Sequence, residues 1–204
     1  MTLTYPKAGQ LSVGYDPKED RLFLIFHIQD GGFRKAFVSR RILGALLGHM
    51  SEQLASSHPM AGYTAQRDEM LQMEHVASVS VQNVEAKQPK QPAHPKQPQQ
   101  ALKPQKSQQL QQGEQLPTEF PGAFYVTSVQ VEMQQDMLVV GFSGEWLKAE
   151  NQKSEPIAAL GLARAEAHRV LRLLRDKADS AGWNLEWPAL WMKPLEYGKA
   201  LGAN

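Results

Sequence analysis

Along residues 21–26, Leu22, Leu24 and Phe26 alternate with Phe23 and Ile25, so both faces of one extended segment are apolar. That pattern predicts a strand buried on both sides or nearly so. The preceding residues, "LSVGYD", read as its partner strand, with Asp16-Pro17 turning the chain between them. After Gly31-Gly32, "FRKAFV" reads as a third strand. Then Ser39 stands where an N-cap is wanted, ahead of "RRILGALLGHMSEQLA". In that helix Ile42, Leu43, Leu46, Leu47, Met50 and Leu54 fall on one stripe.

The same order returns later in the chain. Residues 11–26 lie on residues 127–142 without a gap, and Ser12/Ser128, Val13/Val129, Asp20/Asp136, Leu22/Leu138 and Phe26/Phe142 coincide. Met133-Gln134-Gln135-Asp136 supplies the second turn, "IAALGL" a further strand, and "ARAEAHRVLRLLRDKADSAG" a helix. With an eight-residue shift, absorbed by the longer polar loop "KAENQKSEP", Arg40 meets Arg164, Leu46 meets Val170, Leu47 meets Leu171 and Met50 meets Leu174. The expected fold is therefore α+β: a duplicated strand-strand-strand-helix unit, with antiparallel sheet or sheets covered by helices. Each half has too few structured residues to be secure alone, so the halves should share one core.

Between them the pattern disappears. From Lys87 to Thr118 the chain is Gln, Pro and Lys, with Leu102, Leu110 and Leu116 its only sizeable apolar residues. Such a stretch cannot bury enough surface to offset the entropy of ordering it, which predicts a disordered linker. The organisation read from sequence is 1–86, a first half with an extra helix; 87–118, the linker; and 119–204, a second half with a tryptophan-rich tail. The extra helix should run from about Ala65 to Ala77, capped by Thr64. The following "SVSVQNV" fits either its continuation or a short strand.

Charge changes the picture once it is sorted by segment. Residues 1–86 carry 8 Lys/Arg against 9 Asp/Glu, and residues 119–204 carry 9 against 11. The linker has five lysines and Glu114 alone. The slight basicity of the chain thus resides in the linker, and the folded halves should bind nucleic acid weakly at most. There is no cysteine, which removes disulfides, thiolate metal sites and cysteine nucleophiles together. The first residues lack a basic start and an apolar run, and no apolar run is long enough for a bilayer; a cytoplasmic protein with no membrane partner is expected.

Candidate chemistry is sparse. The six histidines form no His-x-x-x-His or His-Glu-x-x-His pair, and no nucleophile elbow, phosphate loop or dinucleotide glycine pattern occurs. No cofactor, metal or catalytic residue is expected, and the protein reads as not an enzyme. The candidate interaction residues are Arg40 and Arg41 at the first helix start, Arg164, His168, Arg172 and Arg175 on one side of the last helix, and Trp183, Trp187 and Trp191 in the tail. The basic side fits an anion site or a solvated, partly salt-bridged face. The tryptophans fit either a cover over the core or a docking surface. Gly44 and Gly48 form a Gly-x-x-x-Gly whose cost, roughly 1 kcal/mol per glycine, suggests a close neighbour or mere tolerance.

Val38-Ser-Arg-Arg-Ile-Leu, Arg67-Asp-Glu-Met-Leu-x-x-Glu-His75 and Ala181-Gly-Trp183 resemble landmarks of an uncharacterised group of proteobacterial hypothetical proteins. That resemblance covers both halves, skips the linker, and implies no activity or site residue. In architecture alone, the repeated unit resembles single-stranded nucleic-acid binders of the Whirly and transcriptional-coactivator type, which have four strands per unit where this chain has three. The first functional expectation is a non-catalytic interaction or adaptor protein, binding an unknown protein partner or itself. The second is a single-stranded nucleic-acid binder using Arg34, Lys35, Arg40 and Arg41 with Phe33 and Phe37, plus the basic side of the last helix. The third is an enzyme with no recognisable motif.

Overall fold

The computed structural model describes residues 4–85, 122–147 and 153–193; the expected linker, 87–118, lies outside them. The elements are β1 (Lys7–Asp16), β2 (Arg21–Ile28), β3 (Phe33–Val38), α1 (Arg40–Ser56), α2 (Thr64–Glu85), β4 (Ala123–Gln134), β5 (Met137–Trp146), β6 (Glu155–Ala163), α3 (Arg164–Ser180) and a short 3-10 turn at Leu190–Met192. The architecture is α+β, six strands with helices packed on them.

The strands close into a barrel in chain order. Within each half the pairings are antiparallel: Leu22 faces Tyr15 and Val38, and Leu138 faces Met133 and Leu162. The halves meet at two parallel seams, where Lys35, Ala36 and Phe37 run beside Ala123, Phe124 and Tyr125, and Lys7 and Ala8 beside Ala159 and Leu160. An antiparallel sheet was the expectation; the parallel seams are what closure adds, because two three-stranded units of the same strand order meet β3 to β4 and β6 to β1. Closure leaves no edge strand in the barrel.

Alternation decides what lies inside. Leu22, Leu24 and Phe26 from one half and Leu138, Val140 and Phe142 from the other are buried in one core cluster. Phe26 and Phe142 meet at 4.9 Å between ring centroids. Arg34 pairs with Phe26 across β2–β3, and its Nη1 donates to the carbonyls of Pro156 and Ile157 at 2.9 and 3.0 Å, a tie from β3 to β6.

α1 and α3 each follow the third strand of their half. Ser39 caps α1 as expected, its hydroxyl accepting from the Ile42 N–H. The expected stripe, Ile42 to Leu54, is buried, and α1 lies against β4 and β5 of the other half. α3 lies against β1, β5 and β6. Helical spacing points Val170, Leu173, Leu174 and Ala178 at the core; Val170, Leu174 and Ala178 are buried there with Ala167 and Leu171, whereas Leu173 is half-buried. α2 is longer than the sequence pattern indicated: Ser78 and the residues after it continue the helix to Glu85. Gly44 and Gly48 have nothing within 4 Å of where a Cβ would stand, so the close neighbour suggested by their spacing is not among the described residues. Among those residues no helix is long and apolar enough to cross a membrane.

Candidate functional site

The basic side of α3 is not a solvated face. His168 is fully buried and Arg175 nearly so. His168 lies opposite His75 of α2, with 3.2 Å between the two Nδ1 atoms, and Trp191 stands edge-on to both rings at 5.4 and 5.7 Å. One imidazole must donate and the other accept, so this bond requires at least one neutral ring. Both histidines are pushed down to about 4, chiefly by burial, with the facing His168 and then Arg172 contributing to the shift of His75. The Glu74 carboxylate, 3.4 Å from His168 Nε2, pulls the other way but is too poorly aligned to hydrogen-bond that nitrogen.

Arg164 joins three helices. Its Nε donates to both oxygens of Glu74 on α2 at 2.7 and 2.9 Å. Its terminal nitrogens donate to the Leu54 carbonyl and the Ser57 hydroxyl at the end of α1. This placement satisfies carbonyls that a helix end leaves unpaired. Arg172 bonds Asp176 and Arg175 bonds Asp179, each four residues on, while Arg175 also donates to the Glu186 carbonyl and lies 4.1 Å over the Trp187 ring. The salt-bridged reading of this side therefore fits, and an open anion site does not.

The tail tryptophans divide. Trp183 and Trp191 are buried, at 4% and 3% exposure, which removes them from any docking surface; Trp187 is half-buried under Arg175. Trp183 donates its indole N–H to Asp20 at the tip of the β1–β2 hairpin. Asp20, held at φ 47°, also receives Tyr15 and Arg40, and the Trp183, Tyr15 and Arg40 bonds together hold its carboxyl below the usual carboxylate range. Arg40 thus serves to hold the hairpin tip and lies over Trp183. Arg41 is exposed.

A different set of residues gathers on the outer face of the barrel. The register places Gly14, Phe23, Phe37, Tyr125 and Glu145 in one line across β1 to β5. Phe23 and Phe37 stand 6.4 Å apart and Phe37 and Tyr125 6.0 Å apart. The far edge of Phe23 lies over Gly14, where any Cβ would come within 2.2 Å of the ring. Arg21 lies 4.5 Å over Tyr125, and Lys35 stands 4.6 and 5.0 Å from the Phe23 and Phe37 centroids. Phe33, spaced to face the same way as Phe37, does so, but at the strand end, where it packs against His27 outside this line. Sequence reasoning reached Lys35 and Phe37 and missed Arg21, Phe23 and Tyr125; only the strand register assembles the line.

Among the described residues no group of three His, Asp or Glu side chains is placed to hold a metal ion. No protein-family model, no curated protein and no solved structure matches this chain.

Proposed function

We propose that this protein works by binding another protein, as a non-catalytic interaction protein. The observation that carries the reading is the outward side of α2. Leu71, His75 and Ser78 face inward, and the opposite side carries Met70, Met73 and Val76, all exposed, with Met73 at 65%. Leu190, at 71%, projects from the 3-10 turn that packs beside the same helix. A surface helix ordinarily turns polar residues to water. Apolar side chains three residues apart on that side stand outside the core that the described residues form, and such patches mark contact surfaces. Methionine suits the role because its unbranched side chain adapts to the shape opposite it.

A photoreactive benzophenone residue in place of Met73, in the intact chain in cells, tests the reading. A crosslinked protein is expected from position 73 and not from exposed Lys18 in the β1–β2 turn. A product of twice the 22.8 kDa chain mass would identify the partner as a second copy. Illumination that leaves the chain uncrosslinked at position 73 would count against this surface.

A further inference from the structure

We propose that the outer face of β2, β3 and β4 is a stacking platform for single-stranded nucleic acid, with Phe23, Phe37 and Tyr125 receiving bases and Arg21 and Lys35 receiving phosphates. This goes beyond the protein-binding reading and rests on a different surface. The first support is arrangement. Three rings stand in one cross-strand line at 6.4 and 6.0 Å spacing, contributed by both halves of the chain across a seam. Arg21 lies one pair of residues to one side of that line, and Lys35 one pair to the other. Successive bases on adjacent rings, with cations flanking the track of the backbone, are what sequence-tolerant single-strand binding uses.

The second support is that the fold does not need these rings. The second half builds the same three strands, yet its outer face carries Val139, Gly141, Ala159 and Gly161 at the corresponding rows, with Tyr5 over Gly141 as the ring among the described residues. The inward residues of the two halves are alike, Leu22, Leu24 and Phe26 against Leu138, Val140 and Phe142, while the outward ones differ. Barrel formation explains the inward likeness and leaves the aromatic line unexplained.

The third support is chemical. Arg21 and Lys35 are held over ring faces, and no ion pair involves Arg21 among the described residues. Both have long flexible stems, so a cation can leave a ring for a phosphate while a base takes its place on the ring. Glu145 ends the line beside Tyr125 and repels phosphate, so the strand should run from Tyr125 toward β1 and not onto β5. Rings and cations of this kind do not distinguish ribose from deoxyribose, so the shared chemistry is an unpaired oligonucleotide strand.

Fluorescence anisotropy with labelled oligothymidylate and oligouridylate on the intact chain at low salt is the test. Binding to at least one is expected, and whichever binds more tightly identifies the sugar. Duplex of the same length should bind more weakly, because its base faces are already stacked. Phe37→Leu or Tyr125→Leu, which keep an apolar side chain but no ring, should each weaken binding by about 5- to 150-fold, and Phe37→Trp should restore it. The dependence on salt should have a log–log slope of about −1.4, for two phosphates on a single strand. Ultraviolet crosslinking of the unaltered protein guards against misfolded variants: adducts are expected on Phe23, Phe37 or Tyr125. No binding of either strand, equal binding of duplex, or adducts confined to the 87–118 lysines would overturn the proposal.

Discussion

Replacing either Phe26 or Phe142 with alanine should lower the stability of the whole chain by about 3–5 kcal/mol, the usual cost of emptying a ring's place in a packed core. The two rings are buried at 0% and 1% exposure and touch at 4.9 Å, one from β2 and one from β5. Closure of the barrel at the β3–β4 and β6–β1 seams means that neither half keeps its inner face covered without the other. Both substitutions should therefore shift one cooperative transition, seen alike by circular dichroism and by tryptophan fluorescence, although all four tryptophans lie in the second half. The double variant should lose less than the sum of the single losses, since the second ring has already lost its neighbour. A Phe142→Ala protein in which residues 1–85 keep their own unshifted transition would show two independent cores.

Much of this core was legible because it is local. Period-two alternation set Leu22, Leu24 and Phe26 inward, and the turn residues Gln135 and Asp136 join β4 to β5 as expected. Ser39 and the 3.6-residue stripe of α1 were equally plain. The seams were not. Phe37 beside Tyr125 rests on a three-residue parallel pairing between distant parts of the chain, and nothing in the composition of either strand favours that partner over another. Arg34 shows the same limit. On a strand beginning "FRKAFV" it looks like a surface cation, yet alternation puts it on the inner side, where it donates to β6 carbonyls.

The histidine cluster was half visible. His168 stands at the edge of the apolar arc of α3, one turn before Leu171, a position that spacing alone leaves between core and basic face. Its identification with Arg164, Arg172 and Arg175 followed from angular position alone, and α2, packed on that side, turns the same position into interior. That His75 would be its partner depended on how α2 docks, which residue spacing does not encode. The tail tryptophans were legible as a cover over the core and not in their individual bonds, such as Trp183 to Asp20.

Acidification from pH 6.5 to about 4 should destabilise the protein through His75 and His168, before most carboxylates titrate. Both rings are held down to about 4 from an ordinary 6.5, chiefly by burial. The unfolded chain therefore binds more protons than the folded one throughout that window, and stability must rise with pH across it. It is fully present above 6.5, falls as the pH drops, and levels off below about 4, where both states are protonated. A shift of this size corresponds to about 3 kcal/mol for one histidine, and at most about twice that for the pair. The structural cause is specific: protonating both rings sets two donors against each other at the 3.2 Å Nδ1 contact, beside Arg164 and Arg172, with Glu74 and Asp176 opposing only in part. Trp191 should report the opening, because its indole packs on both imidazoles. His75→Asn keeps a short polar side chain toward His168 but cannot titrate, so its urea midpoint should fall less steeply with pH, by roughly half the original slope. A midpoint that is flat from pH 7 to 4.5 in the unaltered protein, or equally steep in His75→Asn, would show that this pair does not govern the response.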